Sequence, residues 1–180
     1  MRGETNGLYP SCPAVARTVQ VGGCTKAAIR QQFLVHAIAM NEYGKQLWND
    51  PRFVISEVSY ALRTVELRVR DLGFADGGTT EQIYQRAQDL GLEVCPLELG
   101  PFLRLQFLDQ PEAYRITLSA HKLAEEAGVP NGFYLRRVGA GLWLRGYTAT
   151  SDFCWDPDEH FVFARGSGAS RKLATRSSDG

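Results

Sequence analysis

The sequence predicts an α+β fold, in which N-terminal helices pack on one face of a mainly antiparallel C-terminal sheet. Apolar residues recur at helical spacing before Gly91 and alternate with polar residues after it. Helices followed by strands are typical of α+β proteins. Of the 180 residues, 44% are hydrophobic, which is enough for a single domain with one core over 26–164. The ends, 1–25 and 165–180, lack sustained periodicity and are predicted to be flexible, the second as a basic tail.

Two helices follow from apolar spacing together with end signals. The first is predicted at 26–48, where apolar residues recur on one helical face and Pro51 lies just beyond the end. The other is predicted at 81–90, because Thr79 or Thr80 can cap its N-terminus and a glycine follows its last turn.

Between these two segments, the sequence predicts a further helix from a cap at Ser56 to a stop at Gly73. The apolar residues there follow a 4-3-4-3 spacing: Val58, Leu62, Val65, Val69 and Leu72. A competing alternation, Val65-Leu67-Val69, would indicate a strand. The helical pattern is longer, so it outweighs the alternation.

After the change of period, alternating apolar and polar residues predict strands at 103–107, 114–118, 133–138 and 142–147. A glycine-rich turn joins the last two strands as a hairpin. A short helix is predicted at 121–128, and a final hairpin pairs 153–155 with 161–163 around an acidic turn.

Composition limits the function classes. The 20 basic and 20 acidic residues balance, but 165–180 holds four basic residues and one acidic residue. The folded part is therefore mildly acidic, and we do not expect bulk electrostatic attraction to nucleic acid. No apolar run approaches the roughly 20 residues of a membrane span. The four cysteines, Cys12, Cys24, Cys95 and Cys154, lack metal-ligand spacing. We therefore predict a cytoplasmic protein with free thiols, no membrane contact, no metal and no cofactor.

One segment carries a family resemblance. Residues 95–106 read Cys-Pro-Leu-Glu-Leu-Gly-Pro-Phe-Leu-Arg-Leu-Gln. This resembles the central signature of a family of small uncharacterised bacterial proteins, Cys-Pro-x-Glu-x-Gly-Pro-x-Leu-Arg-Leu-Gln. The ending Phe-Val-Phe-Ala-Arg at 161–165 is similar to that family's ending, so the resemblance covers about 92–165. It implies a shared fold and no established activity.

The predicted strands direct one set of polar and aromatic side chains away from the helices, because residues alternate between the two faces of a sheet. The set comprises Arg104, Gln106, Tyr134, Arg136, Trp143, Arg145 and Tyr147. We expect at least two of the three arginines to lie within a side-chain length of each other, with Trp143 beside them. Interleaved arginines and aromatic rings can stack a planar group and hold an anionic one. They can equally be arginine stems that shield the rings.

The leading functional hypothesis is a non-enzymatic binding module, because the familiar nucleotide-binding and hydrolase motifs are absent. Its ligand would be a small anionic or planar molecule or a protein partner, and a homodimer is possible. Glu98 joins the predicted site, either lining its mouth or forming a structural ion pair with Arg104. One alternative is a small enzyme that uses Glu98, or a carboxylate of Asp156–His160, with Arg104 as an anion clamp. Another is a binder of single-stranded nucleic acid.

Overall fold

The computed structural model describes residues 7–166, so most of the predicted basic tail lies outside the described residues. Four α-helices are present in this range: α1 Lys26–Val35, α2 Glu42–Asn49, α3 Thr80–Asp89 and α4 Leu99–Gln106. The ten strands are β1 Val15–Val21, β2 Ile38–Ala39, β3 Tyr60–Arg68, β4 Gly78–Thr79, β5 Leu92–Glu93, β6 Ile116–Leu118, β7 Gly132–Val138, β8 Gly141–Tyr147, β9 Cys154–Trp155 and β10 His160–Arg165. A 3-10 helix at Val69–Leu72 follows β3.

The main sheet has the strand order β1-β3-β10-β6-β7-β8-β2, and β5 adds to β10. Neighbouring strands run antiparallel except for β10 with β6 and β2 with β8. Strands β4 and β9 form a separate two-stranded sheet. The predicted mixed fold with a mainly antiparallel sheet is therefore confirmed.

Apolar clusters cover both faces of this sheet. Along β10, Val162 and Ala164 belong to the first cluster, whereas Phe161 and Phe163 belong to the second. Helices α1, α2 and α4 contribute to the first cluster, and α3 contributes to the second. Because successive residues of a strand point to opposite faces, the helices lie on both sides of the sheet. The expected packing of helices on one face is not confirmed.

The prediction of a helix from Ser56 to Gly73 is wrong, because this segment forms β3 and the short 3-10 helix. Strand β3 lies between β1 and β10, and Thr64, Val65, Glu66 and Leu67 are all buried. A strand buried on both faces carries apolar residues at odd and even positions, which blurs its alternation. The shorter alternating pattern was the correct indicator.

The N-terminal region differs from its predictions in two ways. Residues 15–21 form β1, so the folded part begins upstream of residue 26. The predicted helix at 26–48 is split into α1 and α2, because Ala37 has φ +50° and Asn41 caps a new helix by accepting from the Gly44 amide. The helix predicted at 81–90 is confirmed as α3, with Thr79 as its cap.

Further along, the predicted strand at 103–107 is wrong, since this segment belongs to α4. Pro101 is tolerated there because it lies in the first turn of the helix. Gly100 lets α4 pack closely on β7, since a Cβ at this position would lie 2.8 Å from the Phe133 ring. The predicted helix at 121–128 does not form. Strands β9 and β10 do not pair with each other, so the predicted last hairpin is also wrong.

Candidate ligand-binding face

The hairpin of β7 and β8 has the predicted strand phase. Its register pairs Tyr134 with Arg145 and Arg136 with Trp143. Directly paired residues point to the same side of a sheet, so these four side chains share one face. Tyr147, two residues beyond Arg145, belongs to the same face. On the other side, the leucines of the hairpin enter the first apolar cluster.

Arginine and aromatic side chains alternate across this face. The guanidinium carbon of Arg145 lies 5.1 Å from the centroid of the Trp143 ring and 5.9 Å from that of Tyr134. On the far side of Tyr134, the guanidinium carbon of Arg115 lies 5.5 Å from the Tyr134 centroid and 5.4 Å from that of Trp155. These distances are within the range of cation–π contacts. We call this set, Arg115, Tyr134, Trp143, Arg145 and Trp155, the stacked row.

Tyr147 packs against two members of the stacked row, Tyr134 and Trp155. Its ring centroid is 6.3 Å from that of Tyr134 and 5.5 Å from that of Trp155, both in edge-to-face geometry. Burial, together with the neighbouring Tyr84 phenol, raises the pKa of Tyr147 well above its ordinary value. Tyr147 therefore stays neutral and supports the row through packing.

The arginines of this face differ in their partners. Arg115 donates to Glu159 over 2.8 Å and is neutralised by it. Among residues 7–166, Arg136 and Arg145 have neither a carboxylate within 4 Å nor a side-chain hydrogen bond, and the Nε of Arg145 is buried without a partner. A buried donor without a partner costs about 1–3 kcal/mol. Two arginines next to Trp143 are thus left free to bind an anionic group.

Arg104 does not belong to this face, and its predicted place there is wrong. It lies on α4, with its side chain fully buried. Its guanidinium donates to Gln110 Oε1 over 2.5 Å and to the carbonyl oxygen of Phe107, with a longer contact of 3.5 Å to the Trp143 carbonyl. Burial, and secondarily the charge of Arg137, lowers the pKa of Arg104 to about 10, so it stays charged near neutral pH. Since α4 packs with the first cluster, Arg104 and Arg145 lie on opposite sides of the sheet.

Gln106 is also misplaced by the sequence prediction. Its side-chain amide donates to the Gln20 carbonyl over 2.8 Å and accepts from the Gln20 amide over 3.0 Å. Strand β1 is at the edge of the sheet, so this side chain takes the place of a neighbouring strand at one residue. The role of Gln106 is structural.

Glu98 lies at the N-terminus of α4 and is buried. It accepts hydrogen bonds from the Ser56 amide at 2.8 Å, the Ser56 hydroxyl at 2.6 Å and the Tyr60 hydroxyl at 2.8 Å. Burial, together with Glu98, raises the pKa of Tyr60 above its ordinary value, so Tyr60 remains a donor. Glu98 and Arg104 therefore have separate partners and do not form the predicted ion pair. The arrangement that an enzyme using both residues would need is absent from residues 7–166.

Arg115 and Trp155 are the members of the stacked row that the sequence prediction missed. Arg115 and Thr117 alternate with the buried Ile116 and Leu118 of β6, so the alternation alone could have assigned Arg115 to this face. No comparable pattern marked Trp155, because it lies on a two-residue strand that pairs with β4.

Comparison of the chain with protein-family models, with curated proteins and with solved structures finds no match. The resemblance of 95–106 to a family signature stays a prediction. Within the described range, the helices are too short or too polar to cross a membrane, and no three His, Cys, Asp or Glu side chains are grouped as metal ligands.

Proposed function

We propose that the protein is a non-enzymatic binding module, and that the stacked row together with Arg136 binds a small ligand carrying a planar ring and a negative charge. The observation that carries this proposal is Arg145, which stands between Tyr134 and Trp143 without a carboxylate partner among the described residues. A stacked guanidinium keeps its planar set of N–H donors available for a carboxylate or phosphate.

The energetics favour a ligand over simple shielding. A cation–π contact contributes about 0.5–1 kcal/mol at an exposed site, so two such contacts roughly balance the cost of the unpartnered Nε. A bound anion would accept from the terminal N–H groups of Arg145 and would also relieve the repulsion between Arg145 and Arg136, which occupy diagonal positions on neighbouring strands. The half-buried Trp143 leaves part of its ring surface free for stacking.

The test is a thermal-shift screen of planar anions, such as nucleotides and aromatic carboxylates, on the wild type and on a Trp143→Ala/Arg145→Ala double variant. At about 100 times its Kd, a ligand stabilises the fold by about 2.7 kcal/mol, which raises Tm by about 5–10 °C for a domain of this size. The double variant is expected to lose that rise. Arg63→Ala is the matched control, because Arg63 is an exposed arginine on β3, away from the row. A ligand that stabilises the double variant as much as the wild type contradicts the proposal.

Two further measurements test whether this face is instead covered by another protein chain or binds single-stranded nucleic acid. If a protein partner or a second copy covers it, sedimentation velocity will show concentration-dependent association that Trp143→Ala weakens. If single-stranded nucleic acid binds, a fluorescence titration with short oligonucleotides will show binding at about 50 mM salt that weakens steeply as salt rises. A cytoplasmic location remains a prediction from the free thiols.

A further inference from the structure

A cavity of about 370 Å³ adjoins the candidate binding face, at the end of the sheet where β6 and β10 begin. Arg136 lines this cavity and is paired with Trp143 across the hairpin, so it belongs to both places. His160, the first residue of β10, also lines the cavity. Arg115, a member of the stacked row, lines the cavity as well, so the cavity and the candidate binding face are joined through two arginines.

His160 is held in a fixed orientation. Its Nδ1 lies 2.8 Å from Oε1 of the buried Glu66, and the other oxygen of Glu66 is 2.6 Å from Arg17. The His160 ring is stacked on Tyr114, with centroids 4.2 Å apart and an angle of 19° between the planes. Burial alone would raise the pKa of Glu66, but hydrogen bonds from His160 and Arg17 outweigh it and hold the pKa below its ordinary value. Glu66 is therefore ionised and accepts from Nδ1–H, which leaves Nε2 for another partner.

The carboxylates around the cavity each have a donor, but only Asp158 and Glu159 pair with arginines, whereas Glu112 and Asp156 accept from backbone amides and keep their negative charge. These contacts are Glu112 with the Gly139 amide at 2.9 Å, Asp156 with the Asp158 amide at 2.8 Å, Asp158 with Arg70 at 2.7 Å, and Glu159 with Arg115 at 2.8 Å. Among the described residues, the Arg136 guanidinium and the Nε2 atom of His160 have no hydrogen-bond partner. Arg136 and His160 Nε2 are therefore the groups of this cavity whose hydrogen-bonding capacity is unused among the described residues.

We propose that this cavity is an oxyanion subsite, in which Arg136 and His160 Nε2 bind the phosphate group of a ligand whose planar ring stacks beside Trp143. This inference rests on the proposed binding function and narrows it to a planar ring linked to a phosphate monoester, as in a nucleoside monophosphate. The oxygens of a phosphate monoester can accept from Arg136. With Nδ1–H bound to Glu66, the contact with Nε2 needs one further proton, so either the imidazolium donates from Nε2–H or a monoanionic phosphate donates its O–H to Nε2. Arginine and imidazolium N–H groups form charge-assisted hydrogen bonds to phosphate, which are among the strongest in proteins.

The experiment uses NMR spectroscopy of the full chain with three probes: adenosine 5′-monophosphate, adenosine and inorganic phosphate. The nucleotide is expected to shift the Trp143 indole and the His160 ring signals, adenosine only the former, and phosphate only the latter. Arg136→Gln and His160→Gln should each raise the Kd for the nucleotide by about 10–100-fold, as expected for the loss of one charge-assisted hydrogen bond. His121→Gln is the control, because His121 lines a different cavity.

The outcomes separate the two proposals. If the nucleotide and adenosine bind equally well and the His160 signals stay in place, the subsite is overturned while the planar-ligand function stands. If phosphate shifts the His160 signals but no ring compound moves the Trp143 indole, the proposed function fails and the subsite holds. If nothing shifts, both proposals fail. Because Arg136 is exposed, its variant keeps the test valid even where His160→Gln unfolds the protein.

Discussion

Replacing Arg104 with alanine should be among the most destabilising substitutions of a charged residue in this protein. The side chain is fully buried and links three segments: α4, the loop that follows it, and β8. Its removal leaves the Gln110 and Phe107 oxygens without this donor, at about 1–3 kcal/mol each. It also leaves a cavity where a long side chain was packed. The expected loss is therefore about 3–6 kcal/mol of the free energy of unfolding.

Arg104→Met separates the two contributions. Both variants lose the guanidinium and its desolvation cost, and both leave the two oxygens without their donor, but methionine keeps most of the volume and so largely avoids the cavity. The expected loss is smaller, about 1–3 kcal/mol. Arg63→Ala, at an exposed position of β3, should stay within about 0.5 kcal/mol of the wild type.

The assay is urea unfolding followed by tryptophan fluorescence, with the free energy obtained by linear extrapolation. The reasoning predicts the order Arg104→Ala, then Arg104→Met, then Arg63→Ala, from most to least destabilised. A loss below about 1 kcal/mol for Arg104→Ala would refute it, because a buried side chain that holds three segments together could not then be so easily replaced.

Two further predictions concern thiol reactivity and acid stability. Burial raises the pKa of Cys95 to about 12 and shields its thiol, whereas Cys24 and Cys154 are exposed. A colorimetric disulfide reagent should therefore react quickly with Cys24 and Cys154, more slowly with the half-buried Cys12, and with Cys95 only after denaturant is added. Reaction of Cys95 in the native protein at the rate of Cys24 would contradict this. Burial alone would raise the pKa of Glu66, but hydrogen bonds from His160 and Arg17 hold its folded-state pKa below 4.5. The stability that the Glu66 charge contributes is therefore present above pH 4.5 and is lost as pH falls through the folded-state pKa. Urea midpoints measured between pH 7 and pH 3 should therefore converge for the wild type and Glu66→Gln, and a difference that stays constant over this range would show that the carboxylate charge is not what stabilises the fold.

The hairpin of β7 and β8 was predictable because several local features agree. Alternation, a glycine-rich turn and two strands of equal length all fix the same register, so Tyr134, Arg136, Trp143, Arg145 and Tyr147 were assigned to the correct face. One face of this hairpin is covered by the core, and the other face is partly accessible to solvent. This is the situation in which period-2 alternation is clearest.

Prediction failed where burial removed the contrast between faces. In α4, every residue from Leu99 to Arg104 is buried, so polarity could not reveal the helical period. The alternation of Leu103 and Leu105 with Arg104 and Gln106 then resembled that of a strand. The charge of Arg104 by itself predicts a surface position. Its burial is possible because oxygens of Phe107 and Gln110 accept from its guanidinium, and these oxygens reach it only in the folded chain.

The arginines of this protein show why the free ones are informative. Arg104 is fully buried and has neutral oxygens around it, and Arg115 stacks between two rings but also has Glu159. The fold therefore supplies acceptors to the terminal N–H groups of Arg104 in the core and to Arg115 within the stacked row, although the Nε of Arg104, like that of Arg145, is buried without a partner in the described part of the chain. Arg136 and Arg145 lie on the same sheet, with four carboxylates around the adjoining cavity, and within residues 7–166 neither is paired with one. Shielding of aromatic rings explains the position of the Arg145 stem, but it makes no use of the terminal N–H groups of Arg145 and Arg136, which a bound oxyanion would engage.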